Sequence, residues 1–303
     1  MDIYIPSLQN KGLLDSYLKY NTFRGCELAP ANPIMWSEHY STGFVIVENM
    51  LSFCRLKDGK PVSFSFPIGA EDKKKAFDAI AGYFEQNKMD FSMYMVEPDM
   101  FACIEQWYPG MYEVQYNRDS ADYLYETETL ASLSGKKLHG KRNHINRFLE
   151  NYPDYVYERI DDANRDECLE LAYAWARKNI QDDSVQREED KAYESCALEF
   201  ALRHRDELGL IGALIRVEGR VVAFTLGGKL TEDTFDINFE KAYAEVQGAY
   251  AMINREFVRR ELAGYKYVNR EEDMGVPGLR HAKTSYQPVC LVEKGLVRRT
   301  GMS

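Results

Sequence analysis

The sequence predicts an α+β fold made of two similar halves, each a mixed, mainly antiparallel sheet flanked by helices. Three observations carry this. Short β-rich runs with alternating apolar residues are punctuated by tight-turn dipeptides. Each group of three such runs is followed by an amphipathic helical stretch and one more strand. That order occurs twice, roughly 160 residues apart in a chain of 303, a length at which two domains of ~150 residues are the prior.

In the first half, 43–47, 50–56 and 61–66 read as strands, separated by Glu48-Asn49 and by Lys57-Asp58-Gly59-Lys60. A helix is expected at 72–87, because Ala76, Phe77, Ile80, Ala81 and Phe84 share a face. Asp72 is its cap and Asn87 its stop. Residues 91–96 form the next strand. In the second half 208–217 turns at Glu218-Gly219 into 220–228, and a third strand ends near Glu240. A helix from about 248 to 262 would bury Tyr250, Ile253, Phe257, Val258 and Leu262, leave Arg255, Arg259 and Arg260 outside, and stop at a left-handed Gly264. The strand 265–270 completes the copy. Helical segments precede each copy, near 7–20 and 162–204. A three-strand meander, a helix and a returning strand resemble the core order of the GCN5-related N-acetyltransferase (GNAT) fold. Two tandem GNAT-like domains follow as the expectation: 1–125, a basic connecting segment at 126–150, and 151–303.

Composition narrows the function classes. Hydrophobic residues make up 45% and charged ones 28%, an ordinary globular balance. The net charge of −10 is a poor prior for a dedicated nucleic-acid binder, which works by neutralising phosphates. The N-terminal residues lack a basic stretch followed by an apolar one, and no run approaches the ~18 apolar residues of a membrane span. Cys26, Cys54, Cys103, Cys168, Cys196 and Cys290 are scattered without a CxxC pair, which reads as reduced, mostly buried thiols in a cytoplasmic protein without a structural metal. Nucleophile-elbow, phosphate-loop and dinucleotide-binding motifs are missing.

Three segments carry the candidate chemistry. Residues 135–148, GKKLHGKRNHINRF, hold Lys136, Lys137, Lys141, Arg142 and Arg147 with no acidic residue. They suit a phosphate-rich ligand, or form a solvated basic linker. Residues 267–289, YVNREEDMGVPGLRHAKTSYQPV, place Asn269, Glu271, Glu272 and Asp273 at a strand's C-terminal end, where ligand groups are commonly presented. Arg280, Lys283 and Tyr286 would share one side if the following stretch is helical; the alternative is a plain surface turn. Gln247-Gly248-Ala249 opens the second helix, whose N-terminus could take a pyrophosphate, although a small helix start is often only close packing.

Together with DYLY (122–125) and FEKAYAEVQGAYAMINREF, these stretches resemble the phosphatidylglycerol lysyltransferase C-terminal-domain family, in its small soluble branch. The resemblance implies a tandem GNAT fold related to the Fem-type peptidoglycan transferases. It also implies acyl transfer to an amine acceptor in a groove between the halves, with acyl-CoA as donor. Aminoacyl-tRNA is the alternative donor, with a lipid or peptide acceptor, and a non-catalytic binding module is the alternative of another class. Within that reading Glu240 is the general base and Tyr286 the acid. Arg280, Lys283, Lys137 and Arg142 hold phosphates, Gln247, Gly248 and Ala249 the donor's pyrophosphate, and Asn269, Glu271 and Asp273 the substrate. The glycine-rich pattern of the acetyltransferases is not met, since Gln247 and Gly248 are adjacent.

Overall fold

The computed structural model describes residues 1–37, 39–179 and 185–301. The chain forms two compact units, and they are not consecutive in sequence. The first comprises Met1–Asp122, Glu272–Val276 and the residues from Leu291 on; the second comprises Tyr123–Glu271 and Pro277–Cys290.

The first unit begins with α1 (Lys11–Leu18) and α2 (Asn32–Met35) and continues through the meander β1 (Thr42–Val47), β2 (Met50–Lys57) and β3 (Lys60–Phe64). Both hairpin turns use left-handed residues, Glu48 and Asn49 in one and Asp58 and Gly59 in the other, the backbone twist that two-residue hairpins require. Next come α3 (Lys73–Gln86), β4 (Met93–Val96), α4 (Pro98–Trp107) and β5 (Tyr112–Tyr116). Asp72 caps α3 by accepting from the Lys74 and Lys75 amides, and Ala76, Phe77, Ile80 and Phe84 are buried, as the spacing predicts. β4 runs parallel to β3.

The second unit opens with β6 (Asp122–Glu126), α5 (Thr127–Ser132), α6 (His139–Asn151), β7 (Val156–Arg159), α7 (Arg165–Asn179), α8 (Val185–Arg203) and α9 (Arg205–Leu208). Its meander is β8 (Leu210–Val217), β9 (Arg220–Lys229) and β10 (Thr234–Ala242), turned at the left-handed Glu218 and Gly219. Helix α10 (Ala249–Glu261) returns the chain to β11 (Tyr267–Asn269), parallel to β10. Helix α11 (Pro277–Thr284) and β12 (Cys290–Val292) follow, and β13 (Gly295–Arg299) ends the chain's regular structure. The seven-stranded sheet has the order β12-β6-β11-β10-β9-β8-β7.

Several expectations change here. β13 inserts between β4 and β5, antiparallel to both, so the last strand completes the first unit's sheet, β1-β2-β3-β4-β13-β5. Residues 126–150, expected as a connecting segment, hold α5 and α6, which pack on α10 inside the second unit. Tyr250 is 36% exposed, not buried, while Ile253, Phe257, Val258 and Leu262 are core. Arg255 is half-buried against Glu256. Gly264 does not take the left-handed conformation; the helix stops one turn after its last buried residues, with Leu262 at its C-cap. All six cysteines are free, but only Cys26, Cys54 and Cys168 are buried.

Candidate functional site

The second sheet comes apart at one place. β10 and β11 pair only at Thr234–Tyr267, Phe235–Val268 and Asp236–Asn269. Beyond these β10 continues beside β9 to Ala242, with a register shift between Ile237 and Phe239. β11 has already ended, and its chain turns away through Glu271 in the left-handed region. Glu240 from β10 and Arg270 from the end of β11 face each other where the two strands part.

Arg270 Nη2 donates to Glu240 Oε1 over 2.8 Å, and Asn254 Nδ2, from α10, donates to Oε2 over 2.9 Å. The two charged side chains are 12% and 11% exposed, and Asn254 is fully buried. The Arg270 guanidinium lies 4.7 Å from the Tyr286 ring centroid and 5.7 Å from that of Tyr125. Those two rings meet edge-on at 6.5 Å. Lys141, from α6, sets its ammonium 4.0 Å over the Tyr286 ring. The backbone holds the group together: Lys283 Nζ donates to the Arg270 carbonyl (2.6 Å) and the Tyr125 hydroxyl donates to the Lys283 carbonyl (2.7 Å).

This environment shifts its members. Burial pushes the Tyr286 hydroxyl up to about 12, with Arg270 pulling it down and Glu240 up. Burial and then the Arg270 charge lower the Lys141 amine to about 8, against Glu240. Burial works against the Arg270 charge, but Glu240 and the two tyrosines carry its pKa upward. The phenol therefore stays protonated at neutral pH, and the amine titrates near 8.

Of the residues singled out from sequence, Glu240, Tyr286 and Lys283 meet in this cluster. Lys229 at the end of β9 and Lys241 beside Glu240 on β10 pair with Glu232 and Glu194, not with Glu240. Arg142 turns its guanidinium back to the carbonyls of Leu133 and Gly135, closing the end of α5. Lys137 and Gln247 are exposed. Gly248, left-handed at φ 88°, and the buried Ala249 open α10, and a Cβ on Gly248 would come 2.3 Å from the His144 carbonyl oxygen of α6. Asn269 is buried and accepts from the Glu271 amide over 2.6 Å, and Glu271 accepts from Asn238 at 3.3 Å. Arg280 and Lys283 lie on α11, so the stretch left open between helix and surface turn is helical, with Tyr286 just past its end. Asp273 belongs to the first unit, where it accepts from Arg118 and from the Gly275 amide. Sequence reasoning passed over Arg270 and Asn254, and it counted Lys141 only as one of the five cations of residues 135–148; its place over the Tyr286 ring is what sets it apart.

The first unit has its own polar centre. Lys294, 4% exposed, donates to Asp122 Oδ1 and Glu27 Oε1, both at 2.8 Å, with Glu272 at 3.6 Å. The Cys26 thiol lies 3.7 Å from the same ammonium. Cys26, Glu27 and Asp122 bring their ligand atoms within 4.8 Å of one another, and the Lys294 ammonium is the cation among them.

Two units that each carry a meander, a helix and a parallel return strand define a tandem GNAT-fold protein. The phosphatidylglycerol lysyltransferase C-terminal family model matches residues 20–297, and the chain belongs to that family. A conserved protein of unknown function from Bacteroides thetaiotaomicron is 35% identical, with a TM-score of 0.91 over 99% of this chain and 100% of that one. The L-PGS of Bacillus licheniformis is 15% identical, with a TM-score of 0.65 over 96% of this chain and 92% of that one. FemX shares the fold at 10% identity, with a TM-score of 0.57 over 98% and 97% of the two chains. Family and fold together suggest a GNAT-like acyl- or aminoacyl-transferase. Among the described residues no helix is long and apolar enough to cross a membrane.

Proposed function

We propose that the protein transfers an aminoacyl group from an aminoacyl ester of the aminoacyl-tRNA type to an amine acceptor, at the place where β10 and β11 part. The observation that carries this choice is the contact between Gly248 and α6. An acyl-CoA donor would rest its pyrophosphate on unpaired N–H groups at the start of α10. Here the turn into that helix is packed against α6, with the His144 carbonyl oxygen beside Gly248. A carbonyl repels the phosphate that the site would have to accept.

The acceptor's nitrogen attacks the ester carbonyl carbon, forming the amide and breaking the bond to the ribose oxygen. Glu240 takes the proton from the attacking ammonium, directly or through a water. Asn254, whose Oδ1 is buried without a hydrogen-bond partner, adds an acceptor for the same nitrogen. Tyr286 stays protonated at neutral pH and gives its proton to the leaving ribose oxygen. Arg270 fixes the Glu240 carboxylate. Purified protein would be given labelled aminoacyl-tRNAs in turn with a panel of amines. Transfer of label to an amine, lost in Glu240→Gln, supports the reading; transfer from acetyl-CoA with none from any aminoacyl-tRNA overturns it.

Acyl-CoA remains the second reading because a chain of net charge −10 is better matched to a small nucleotide than to a tRNA. Salt separates them: six to ten phosphate contacts lose ~10³–10⁵ in affinity between ~50 and ~200 mM salt, and three phosphates lose far less.

A further inference from the structure

We propose that Lys141 and Arg270, both set against the Tyr286 ring, form a receptor for the phosphate ester of a substrate. The proposal rests on the transferase reading for its purpose, not for its evidence. Lys141 is half-buried on α6, yet among the described residues it has neither ion pair nor hydrogen bond; its ammonium lies 4.0 Å over the Tyr286 ring. Arg270 spends Nη2 on Glu240 and keeps Nη1 buried without a hydrogen-bond partner. Nη1 is a buried donor left unmade, which is costly, and with the Lys141 ammonium over the same ring it marks the place of an acceptor oxygen.

The charges acting on this place are Lys141 from α6, Arg270 after β11 and Glu240 from β10, beside the hydroxyl of Tyr286. Two cations against one carboxylate leave an excess of positive charge. Arg270 has given half of its fork to Glu240 and cannot clasp a carboxylate with both N–H groups. Single donors from two separate elements suit different oxygens of a tetrahedral phosphate. Lys283 already donates to the Arg270 carbonyl, so it holds Arg270 in place. The amine's position near pH 8 gives the receptor a pH limit: it is a cation at pH 7 and a neutral group at pH 9.

The test is binding, not turnover. Inorganic phosphate is titrated into the full chain and followed by ³¹P line broadening at pH 7 and pH 9. Wild type should bind at pH 7 and lose most of that binding at pH 9. Lys141→Met should weaken it ~10-fold or more, the range of a hydrogen bond to a charged group. Lys141→Arg should retain it, and Lys88→Met, at an exposed lysine of the first unit, should not change it. A Lys141→Met protein that is folded by circular dichroism and binds phosphate like wild type overturns the proposal. So does a Lys141→Arg that fails although folded. Glycerophosphoglycerol and adenosine monophosphate as competitors then tell a lipid head group from a nucleotide as the source. Phosphate binding without any transfer would sink the transferase reading alone, and transfer without Lys141-dependent phosphate binding would sink this one alone.

Discussion

Arg270 and Glu240 form an ion pair 2.8 Å long between two strands that no longer hydrogen-bond to each other. Each side chain is almost nine-tenths buried, so neither can be changed as a surface residue could. Glu240→Gln removes the proton acceptor and should lower transfer ~10²–10⁴-fold. It also leaves the Arg270 charge without a counterion and should cost ~1–3 kcal/mol in urea unfolding. The rate must therefore be measured per folded molecule. Replacing both residues by methionine should recover part of the lost stability but none of the activity; a double mutant less stable than either single one would contradict the pairing.

Lys141 runs against the interest of folding. Its amine falls from 10.5 in the unfolded chain to about 8 because burial and Arg270 disfavour the charge. Between those values the native state holds fewer protons than the unfolded one, so stability rises with pH across that window. Lys141→Met lacks this gain. It should be at least as stable as wild type at pH 7, with its lead narrowing by pH 10 in parallel urea titrations. A wild type that is more stable at pH 7 would show that Lys141 serves the fold. In competitive acetylation Lys141 should also react ahead of the exposed lysines at pH 8, where they remain largely protonated.

Glu97 provides a second pH signal, in the first unit. Burial lifts its carboxyl to about 7, the Gly25 amide (2.7 Å) and Arg24 amide work against that, and Asp122 adds to it. The native state binds the extra proton, so this stabilisation is full below the unfolded value near 4.5 and is lost as pH rises through 7. Glu97→Gln keeps an acceptor for the Gly25 amide without the charge. Its melting temperature should exceed that of wild type at pH 8 and match it near pH 5. An equal gap at both pH values would rule out titration of Glu97 as the cause.

The elements were legible because their signals are local. Glu48-Asn49, Asp58-Gly59 and Glu218-Gly219 are turns whatever lies around them, and the apolar spacing in 73–86 defines a helix face by itself. Destinations were not legible. β13 reads as an ordinary final strand, and nothing within GLVRR says that it enters a sheet begun some 250 residues earlier. The same limit hid the site. Glu240 and Tyr286 stood out by type and position, but Arg270 becomes a site residue only because β10 bulges and bends away from it. Asn254, in the middle of a helix, reads as an exposed polar residue until the fold buries it against Glu240.

Gly248 tests the choice of donor and the packing at once. Its φ of 88° favours glycine, and a Cβ there would sit 2.3 Å from the His144 oxygen and 3.0 Å from the Phe148 Cβ. Backbone strain alone costs a non-glycine residue ~1–2 kcal/mol in the left-handed region. The clash cannot be relieved by a rotamer change, because it is with the backbone of α6. Gly248→Ala should therefore lose more than ~2 kcal/mol of stability, or push α6 off the start of α10. The second outcome moves Lys141 away from Tyr286, so acetylation of Lys141 at pH 8 should slow toward that of the exposed lysines. If α6 were instead a loose cover that yields to a CoA donor, Gly248→Ala would fold with near-normal stability and bind acetyl-CoA as well as wild type. That pair of results would return acyl-CoA to first place.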